Sequence, residues 1–357
     1  MNDTLDQPGK VRERDAFDLE ALRGHLSLRA PELPKVLEVK QFGRGYSNLT
    51  YGLTTEGGKD LVLRRAPPGV QIKSAHDMGR EYRILSSLGP HWNKVPKTRY
   101  ICEDSSVIGS PFYLMDRVEG VILRGKWPAA LDTSPSAMQR ASHAAIDTLA
   151  EIHKIDLQAT GLHALGKPEG YITRQVRGWG GRYLAAKTDD VADVDTLVRW
   201  LESHMPGESG GTLIHNDYKY DNMVLSPGLD SVRAVLDWEM ATVGDPLMDL
   251  GTALGYWVQA DDPDLFQVLR FGPTHLPGSL TRIEIVERYI KMSGRKVDDP
   301  LYYFVFALFK LAVVAQQLYK RYAEGLTEEP RYALMIEGVK SVARMAVIAM
   351  ERGTIAP

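Results

Sequence analysis

The chain has 357 residues, 44% hydrophobic and 25% charged, with a formal net charge of -3. That composition excludes a disordered chain, provides apolar surface for a sizeable core, and offers no broad basic face for nucleic acid. A length above the roughly 250–300 residues at which one core stops growing predicts two lobes.

The single cysteine, Cys102, excludes an intrachain disulfide or a cysteine metal cluster, and is read as a small residue in a partly buried strand. Met1 to Lys10 is polar and lacks the apolar core of a secretory signal. The most apolar run, Leu301 to Leu318, is broken by Lys310 and ends in Gln316-Gln317, so a buried helix is expected rather than a membrane span. The expectation is a soluble, cytoplasmic protein with neither a membrane nor a nucleic-acid partner. Nothing in the sequence fixes an oligomeric state.

Beyond the polar start, Phe17, Leu19, Leu22, Leu26 and Leu28 make a helical stripe over Arg14 to Leu28, ending before Pro31 and Pro34. Three strands follow, Leu37 to Phe42, Leu49 to Thr54 and Asp60 to Arg65, separated by Gly43/Gly45 and Gly57-Gly58. They read as an antiparallel meander. A helix over Ala75 to Leu88 and strands over Thr98 to Glu103 and Ile108 to Met115 complete an α+β lobe. Beyond Gly120 helices are expected over Ser136 to Ile155, Thr173 to Ala186, Asp193 to His204, Thr281 to Met292, Pro300 to Tyr322 and Arg331 to Glu351. Short apolar runs, Thr212 to Ile214, Met223 to Leu225 and Val232 to Trp238, lie among them. Strand texture gives way near Met115 to Gly120, dividing the chain into residues 1–116 and 117–357.

The richest chemistry sits between two of those runs, in His215-Asn216-Asp217-Tyr218-Lys219-Tyr220-Asp221-Asn222. Fifteen residues after Asn222, Asp237 ends another apolar run, in Leu236-Asp237-Trp238-Glu239. Phosphoryl transfer needs an acid to orient an acceptor hydroxyl and take its proton, a cation near the transferred group, and oxygen ligands for Mg²⁺. Asp217 supplies the acid, Lys219 the cation, and Asn222 with Asp237 the metal ligands. Two protein oxygens suit Mg²⁺, which keeps its other positions for phosphate and water. His215 is read as structural, and Asp245 and Asp249 as a turn or N-cap ahead of a helix starting near Asp249.

His215-x-Asp217-x-Lys219-x-x-Asn222 has the spacing of the kinase catalytic loop, followed by Asp237 and by Gly244-Asp245-Pro246-x-x-Asp249-Leu250. In these stretches the sequence resembles the aminoglycoside phosphotransferase family and, through it, the protein-kinase-like superfamily. The resemblance implies a two-lobed fold with a small β-rich N-lobe, which binds ATP, and a larger, mainly helical C-lobe. It also implies that Asp245 and Asp249 brace the catalytic loop. Gly43 to Asn48 then stands where a phosphate-covering loop belongs, with Gly45 and Ser47 as contacts. Arg64 stands in place of the usual strand lysine, with Glu81 on the next helix as its partner. Met115 and Val118 flank the segment that holds the adenine.

Leu61 to Gly69 and Tyr171-x-x-Arg174-Gln175-x-x-x-Trp179 are similar to phosphotransferase domains associated with acyl-CoA dehydrogenases, over nearly the whole chain. That subgroup implies a small hydroxy acid or hydroxyacyl-CoA as acceptor more than an aminoglycoside. Arg174, Arg177 and Trp179, near Arg182 and Tyr183, suit an anionic, partly apolar ligand. The same pattern fits a basic face over a buried Trp–Tyr pair, and the sequence leaves both readings standing. Arginine in the lysine's place also leaves open a non-catalytic nucleotide-binding scaffold. A metal-dependent hydrolase fits less well, because no His-rich ligand set accompanies the acids.

Overall fold

The computed structural model describes residues 7–43, 48–67, 77–125, 127, 130–327 and 329–357. Gly45 and Ser47 lie outside them. Helix α1 (Leu19–Arg29) precedes strands β1 (Val36–Gln41), β2 (Leu49–Thr55) and β3 (Leu61–Arg65), helix α2 (Met78–Leu88), and strands β4 (Thr98–Cys102) and β5 (Phe112–Asp116). The five strands form one sheet in the order β1-β2-β3-β5-β4, every neighbouring pair antiparallel. Helix α1 starts later than the apolar stripe suggests, because the Asp18 carboxylate caps the amides of Glu20 and Ala21. Strand β5 likewise starts only at Phe112, since Gly109 is left-handed and Pro111 has no N–H to pair.

The pleat sends Arg64 and Arg65, adjacent on β3, to opposite faces of the sheet. Arg65 points toward α1, where its guanidinium donates to the carbonyls of Asp15 and Ile108 and lies 5.0 Å from the Phe17 ring. This face holds a core of Leu22, Leu26, Tyr51, Leu63, Phe112 and Leu114. Arg64 points to α2, whose buried Ile84, Leu85 and Leu88 join the main core of the molecule.

The rest is mainly helical: α3 (Pro135–Ile152), α4 (Tyr171–Ala186), α5 (Ala192–Ser203), α6 (Pro246–Gly255), the short α7 (Asp264–Gln267), α8 (Arg282–Ser293), α9 (Pro300–Ala323) and α10 (Met335–Arg352). Helices α3, α6 and α9 each begin with proline behind a Ser or Asp cap, where the missing N–H costs nothing. The last helix starts four residues later than its periodicity suggests, after a 3-10 turn over Pro330–Leu334. Helix α9 is long and apolar enough to cross a membrane, but most of it is buried among α4, α6 and α10.

Two small hairpin-like pairs carry the polar loops. Strand β6 (Thr212–Ile214) pairs with β9 (Thr242–Gly244), an element with no sequence signal, and β7 (Met223–Leu225) pairs with β8 (Val232–Val235). The apolar run through Trp238 stops being strand at Val235 because Asp237 is left-handed (φ 65°).

Helices α6 and α9 touch closely at Gly251, where a β-carbon would fall 2.4 Å from the Tyr303 carbonyl oxygen. Gly251→Ala should therefore lower stability by about 1–3 kcal/mol in denaturant unfolding. Gly338→Ala, in α10 with open space above it, should be neutral or stabilising by up to about 1 kcal/mol.

Candidate active site

The loop between β6 and β7 is built on a buried carboxylate. Asp249, wholly buried in α6, accepts from the amides of His215 (2.7 Å) and Asn216 (2.7 Å) and meets His153 Nε2 at 3.1 Å. Burial would raise its pKa, but the contacts with His153 and His215 outweigh that and hold it below the usual aspartate range. Asp245 caps α6 through the Leu247 amide and also accepts from Ser209. The helix therefore begins at Pro246, earlier than the sequence suggests.

Held this way, Asn216 adopts a left-handed conformation (φ 65°), and the Asp217 side chain that follows it meets Lys219, Asn222 and Tyr256. His215 Nδ1 accepts from the Asp217 amide at 3.3 Å, so Nε2 carries the proton donated to the Leu236 carbonyl at 2.9 Å. His215 thus pins this loop to the strand end before Asp237. Its ring packs 4.9 Å from Trp238.

Three side chains surround the Asp217 carboxylate. Lys219 Nζ lies 2.9 and 2.7 Å from its two oxygens, Asn222 Nδ2 donates to Oδ2 at 2.9 Å, and the Tyr256 hydroxyl donates to Oδ1 at 2.6 Å. Burial pushes the pKa up, but Lys219 and the Tyr256 hydrogen bond more than offset it, so the group is ionised. Lys219 is held protonated well above the ordinary lysine range: burial opposes its charge, yet Tyr256, Asp217 and Asp237 prevail. Tyr256 stands just past α6 with no motif around it, and sequence reasoning missed it.

Asn222 and Asp237 converge through the β7–β8 pair. Met223 faces Val235, and the Leu236 amide donates to the Asn222 carbonyl at 2.8 Å. With Asn222 Nδ2 committed to Asp217, its Oδ1 is the end left to ligate a cation. Asp237 Oδ1 accepts from Arg64 Nη2 at 2.8 Å, leaving Oδ2 on a side chain that is 32% exposed. Among the described residues no trio of His, Cys, Asp and Glu converges in a metal cage. Two hard oxygen donors, one on a partly exposed side chain, fit a Mg²⁺ whose remaining ligands would come from phosphate and water.

From β3, Arg64 meets Glu81 at 3.3 Å, Asp237 at 2.8 Å and Glu239 at 3.6 Å. Burial works against its charge, but Glu81 and Asp237 keep its pKa well above the ordinary arginine value. Glu81, buried in α2, also accepts from the Trp238 amide; desolvation nevertheless leaves its pKa above the usual glutamate range. Glu239, for which the sequence suggested no role, accepts from Asn48 Nδ2 at 2.6 Å and so ties the end of the Gly-rich loop to the metal-side loop. Met115 is buried and Val118 half-buried, at the end of β5 where the chain crosses to pair Val121 with Leu225 of β7.

The three proposed acceptor residues part company. Arg174 is exposed and donates to the carbonyls of Lys167 and Glu169, and Arg177 lines a surface groove of about 460 Å³ between α4 and α5. Trp179 is buried beneath Arg182, 4.5 Å away, as the basic-face reading expects. It also approaches Lys310, whose Nζ is 5.7 Å from the ring and donates to the Asn216 carbonyl. Beside Asp217, a cavity of about 10 Å³, room for about one water, is lined by Lys219, Tyr220, Tyr256, Trp257 and Phe271.

A twisted antiparallel sheet with one helix behind it, joined to a helical lobe that carries this loop pair, defines a protein-kinase-like phosphotransferase fold. The description "Phosphotransferase enzyme family" (APH) covers residues 38–278, and the chain belongs to that family. It is 35% identical over 351 residues to acyl-CoA dehydrogenase family member 10 of Mus musculus, matching 96% of this chain but only 32% of that protein. The chain therefore spans about a third of that relative's length. A solved protein of Ralstonia eutropha JMP134 assigned to the aminoglycoside phosphotransferases is 30% identical, with TM-score 0.78 over 94% of this chain and 99% of that one. The GDP complex of a mutant aminoglycoside 2'-phosphotransferase-IIIa shares the fold at 15% identity, with TM-score 0.61 over 94% of this chain and all of the other.

Asp249→Ala would leave two buried amides and His153 without their acceptor, and should cost about 2–5 kcal/mol in denaturant unfolding. Because the folded-state pKa of Asp249 is depressed, its contribution is complete above the ordinary aspartate range near 4 and fades as pH falls through the lowered value. Stability of Asp249→Asn should accordingly depend less on pH than wild type in the range below about 4.

Proposed function

We propose that this chain transfers the γ-phosphoryl group of ATP, as its Mg²⁺ complex, to a hydroxyl group of a small molecule. The observation that carries this reading is the convergence of two hard oxygen donors beside an ionised carboxylate. Asp237, one of whose oxygens Arg64 holds, and Asn222, whose side-chain amide donates to Asp217, are brought to neighbouring strand ends by the β7–β8 pair. A divalent cation would be held by Asn222 Oδ1 and the other oxygen of Asp237. When bound, Mg²⁺ neutralises charge on the phosphates and templates the in-line geometry.

The chain's own groups divide the remaining work. Asp217 accepts a hydrogen bond from the acceptor hydroxyl and takes its proton as the oxygen–phosphorus bond forms and the bond to the ADP leaving group breaks. Its low pKa suits late proton transfer: the carboxylate first orients the hydroxyl and receives the proton when the oxygen becomes acidic on bonding to phosphorus. Lys219, bound to Asp217 and close enough to Asp237 to feel its charge, brings a fixed positive charge to the transferred group. Arg64 and the Gly43–Asn48 loop position the phosphates, and the Met115–Val118 crossing holds the base.

For the acceptor, the reading favours a hydroxy acid or its CoA thioester over an aminoglycoside. Lys310 feels the charges of Lys219 and Arg182 as well as that of Asp217, so positive charge gathers near Asp217, a setting suited to an anion and poor for a polycation. The mouse relative carries acyl-CoA dehydrogenase in its name. A second reading, nucleotide binding without transfer, is favoured by one contact: Arg64 holds an oxygen of Asp237 directly.

Mass spectrometry after incubation with Mg·ATP, and with Mg·GTP in parallel, should detect a gain of one phosphoryl group on a hydroxy acid or hydroxyacyl-CoA. Asp217→Asn should fold and bind nucleotide while turnover drops by about 10²–10⁴-fold. Asp237→Ala should abolish the slow Mg²⁺-dependent ATP hydrolysis. Nucleotide binding with no transfer across hydroxy acids, thioesters, aminoglycosides and amino alcohols would establish the scaffold instead.

A further inference from the structure

Lys310 sits in the middle of α9, flanked by Phe309 and Leu311, and is only 7% exposed. A buried ammonium is costly unless it is paired. Among the described residues no carboxylate lies within ion-pair distance of it, and its hydrogen-bond acceptor is a neutral group, the Asn216 carbonyl, at 2.7 Å. The Trp179 ring lies 5.7 Å from Nζ on another side. Something other than packing has to account for a charge in this place.

The acceptor is in a special position. Asn216 is left-handed (φ 65°), a conformation that few residues other than glycine adopt and that its surroundings here hold in place. Each of its four polar atoms is held by a different part of the molecule. Its amide donates to Asp249 of α6, its Oδ1 accepts from Tyr171 of α4, its Nδ2 donates to the Met240 carbonyl, and its carbonyl accepts from Lys310 of α9. That carbonyl shares a peptide plane with the Asp217 amide, which donates to His215 Nδ1. Lys310 on one edge and His215 on the other thus fix the plane from which the Asp217 side chain projects.

We propose that Lys310 is a positioning residue of the catalytic loop, holding the Asn216–Asp217 peptide so that the Asp217 carboxylate meets the acceptor hydroxyl. This rests on the phosphotransfer reading above. The proposal has a pH signature. Burial lowers the Lys310 pKa to about 8; Asp217 of the loop and Asp249 of α6 pull it up, and Lys219 of the loop and Arg182 of α4 push it down. Below that value the charged amine grips the carbonyl; above it the hold weakens to a neutral hydrogen bond. Turnover falls as pH rises through about 8. The other groups at the base, Lys219 and Tyr256, are shifted upward and do not titrate there.

The test compares wild type, Lys310→Met and Lys310→Arg for Mg·ATP turnover, with water or the best acceptor, from pH 6 to 10. Lys310→Met should lower kcat by about tenfold to a hundredfold with KM for ATP little changed, and its profile should lose the decline near pH 8. Lys310→Arg should restore part of kcat and stay flat to higher pH. Hydrogen exchange followed by mass spectrometry should show faster exchange over residues 213–222 in Lys310→Met, whether or not an acceptor is known. A Lys310→Met enzyme that keeps kcat and the alkaline decline, or keeps wild-type protection over 213–222, overturns the proposal. Absence of any turnover in wild type would instead strike at the phosphotransfer reading, and the exchange experiment would still decide the role of Lys310.

Discussion

The Asp249 carboxylate, sealed inside the helical lobe, organises the chemistry without touching it. Two backbone amides of the loop donate to it, and a buried histidine stands against it. Buried N–H groups must find acceptors, so the chain at His215 and Asn216 has little freedom to go elsewhere. The left-handed turn at Asn216 follows from that constraint, and the direction of Asp217 follows from the turn. Asp217 is thus oriented by a helix behind it, α6, whose start is fixed by Asp245 and Pro246 and whose depth is fixed by contact with α9 at Gly251.

The two lobes meet through a second set of charges. Arg64 belongs to the sheet, Glu81 to α2, and Asp237 and Glu239 to the segment after β8. The guanidinium is a planar fork, which lets one side chain face three carboxylates where a lysine would present a single point of charge. Arginine on this strand therefore makes an ion pair with the helix glutamate while also reaching Asp237 directly. Arg80 strengthens the same junction by donating to the carbonyls of Glu239 and Ala241. These polar contacts add to the apolar packing of α2 on the main core, so the orientation of α2 and the placement of Asp237 are mechanically linked.

Much of this was readable from the chain as letters. The meander of β1, β2 and β3 showed itself in alternation and glycine punctuation, and the helices in their apolar stripes. The ordered series from His215 to Asp249 singled out the loop that carries Asp217 and the strand end that carries Asp237 because the spacing of residues within one short loop is local information. Misjudged boundaries have local causes too: a capping aspartate delayed α1, a glycine and a proline delayed β5, and a left-handed Asp237 ended β8 early. Tyr256, Lys310, Asn48 and Glu239 were different. Tyr256 lies 39 residues from the carboxylate it serves and Lys310 lies 94 from Asn216, with no pattern connecting them. Arg174 and Arg177 looked alike in sequence to Trp179, yet only Trp179 lies near the group that touches the loop.

The sequence by itself determined the kind of elements, their order, and the set of acids, amides and cations brought to one loop and one strand end. These depend on periodicity and spacing, which act over a turn or two of chain. Only the tertiary structure decided which buried groups hold that set in place, because a burial environment, a hydrogen-bond partner or a carboxylate's shifted pKa is created by residues that meet after the chain has folded. The orientation of Asp217, the fourfold grip on Asn216 and the charge cluster around Arg64 are properties of that meeting.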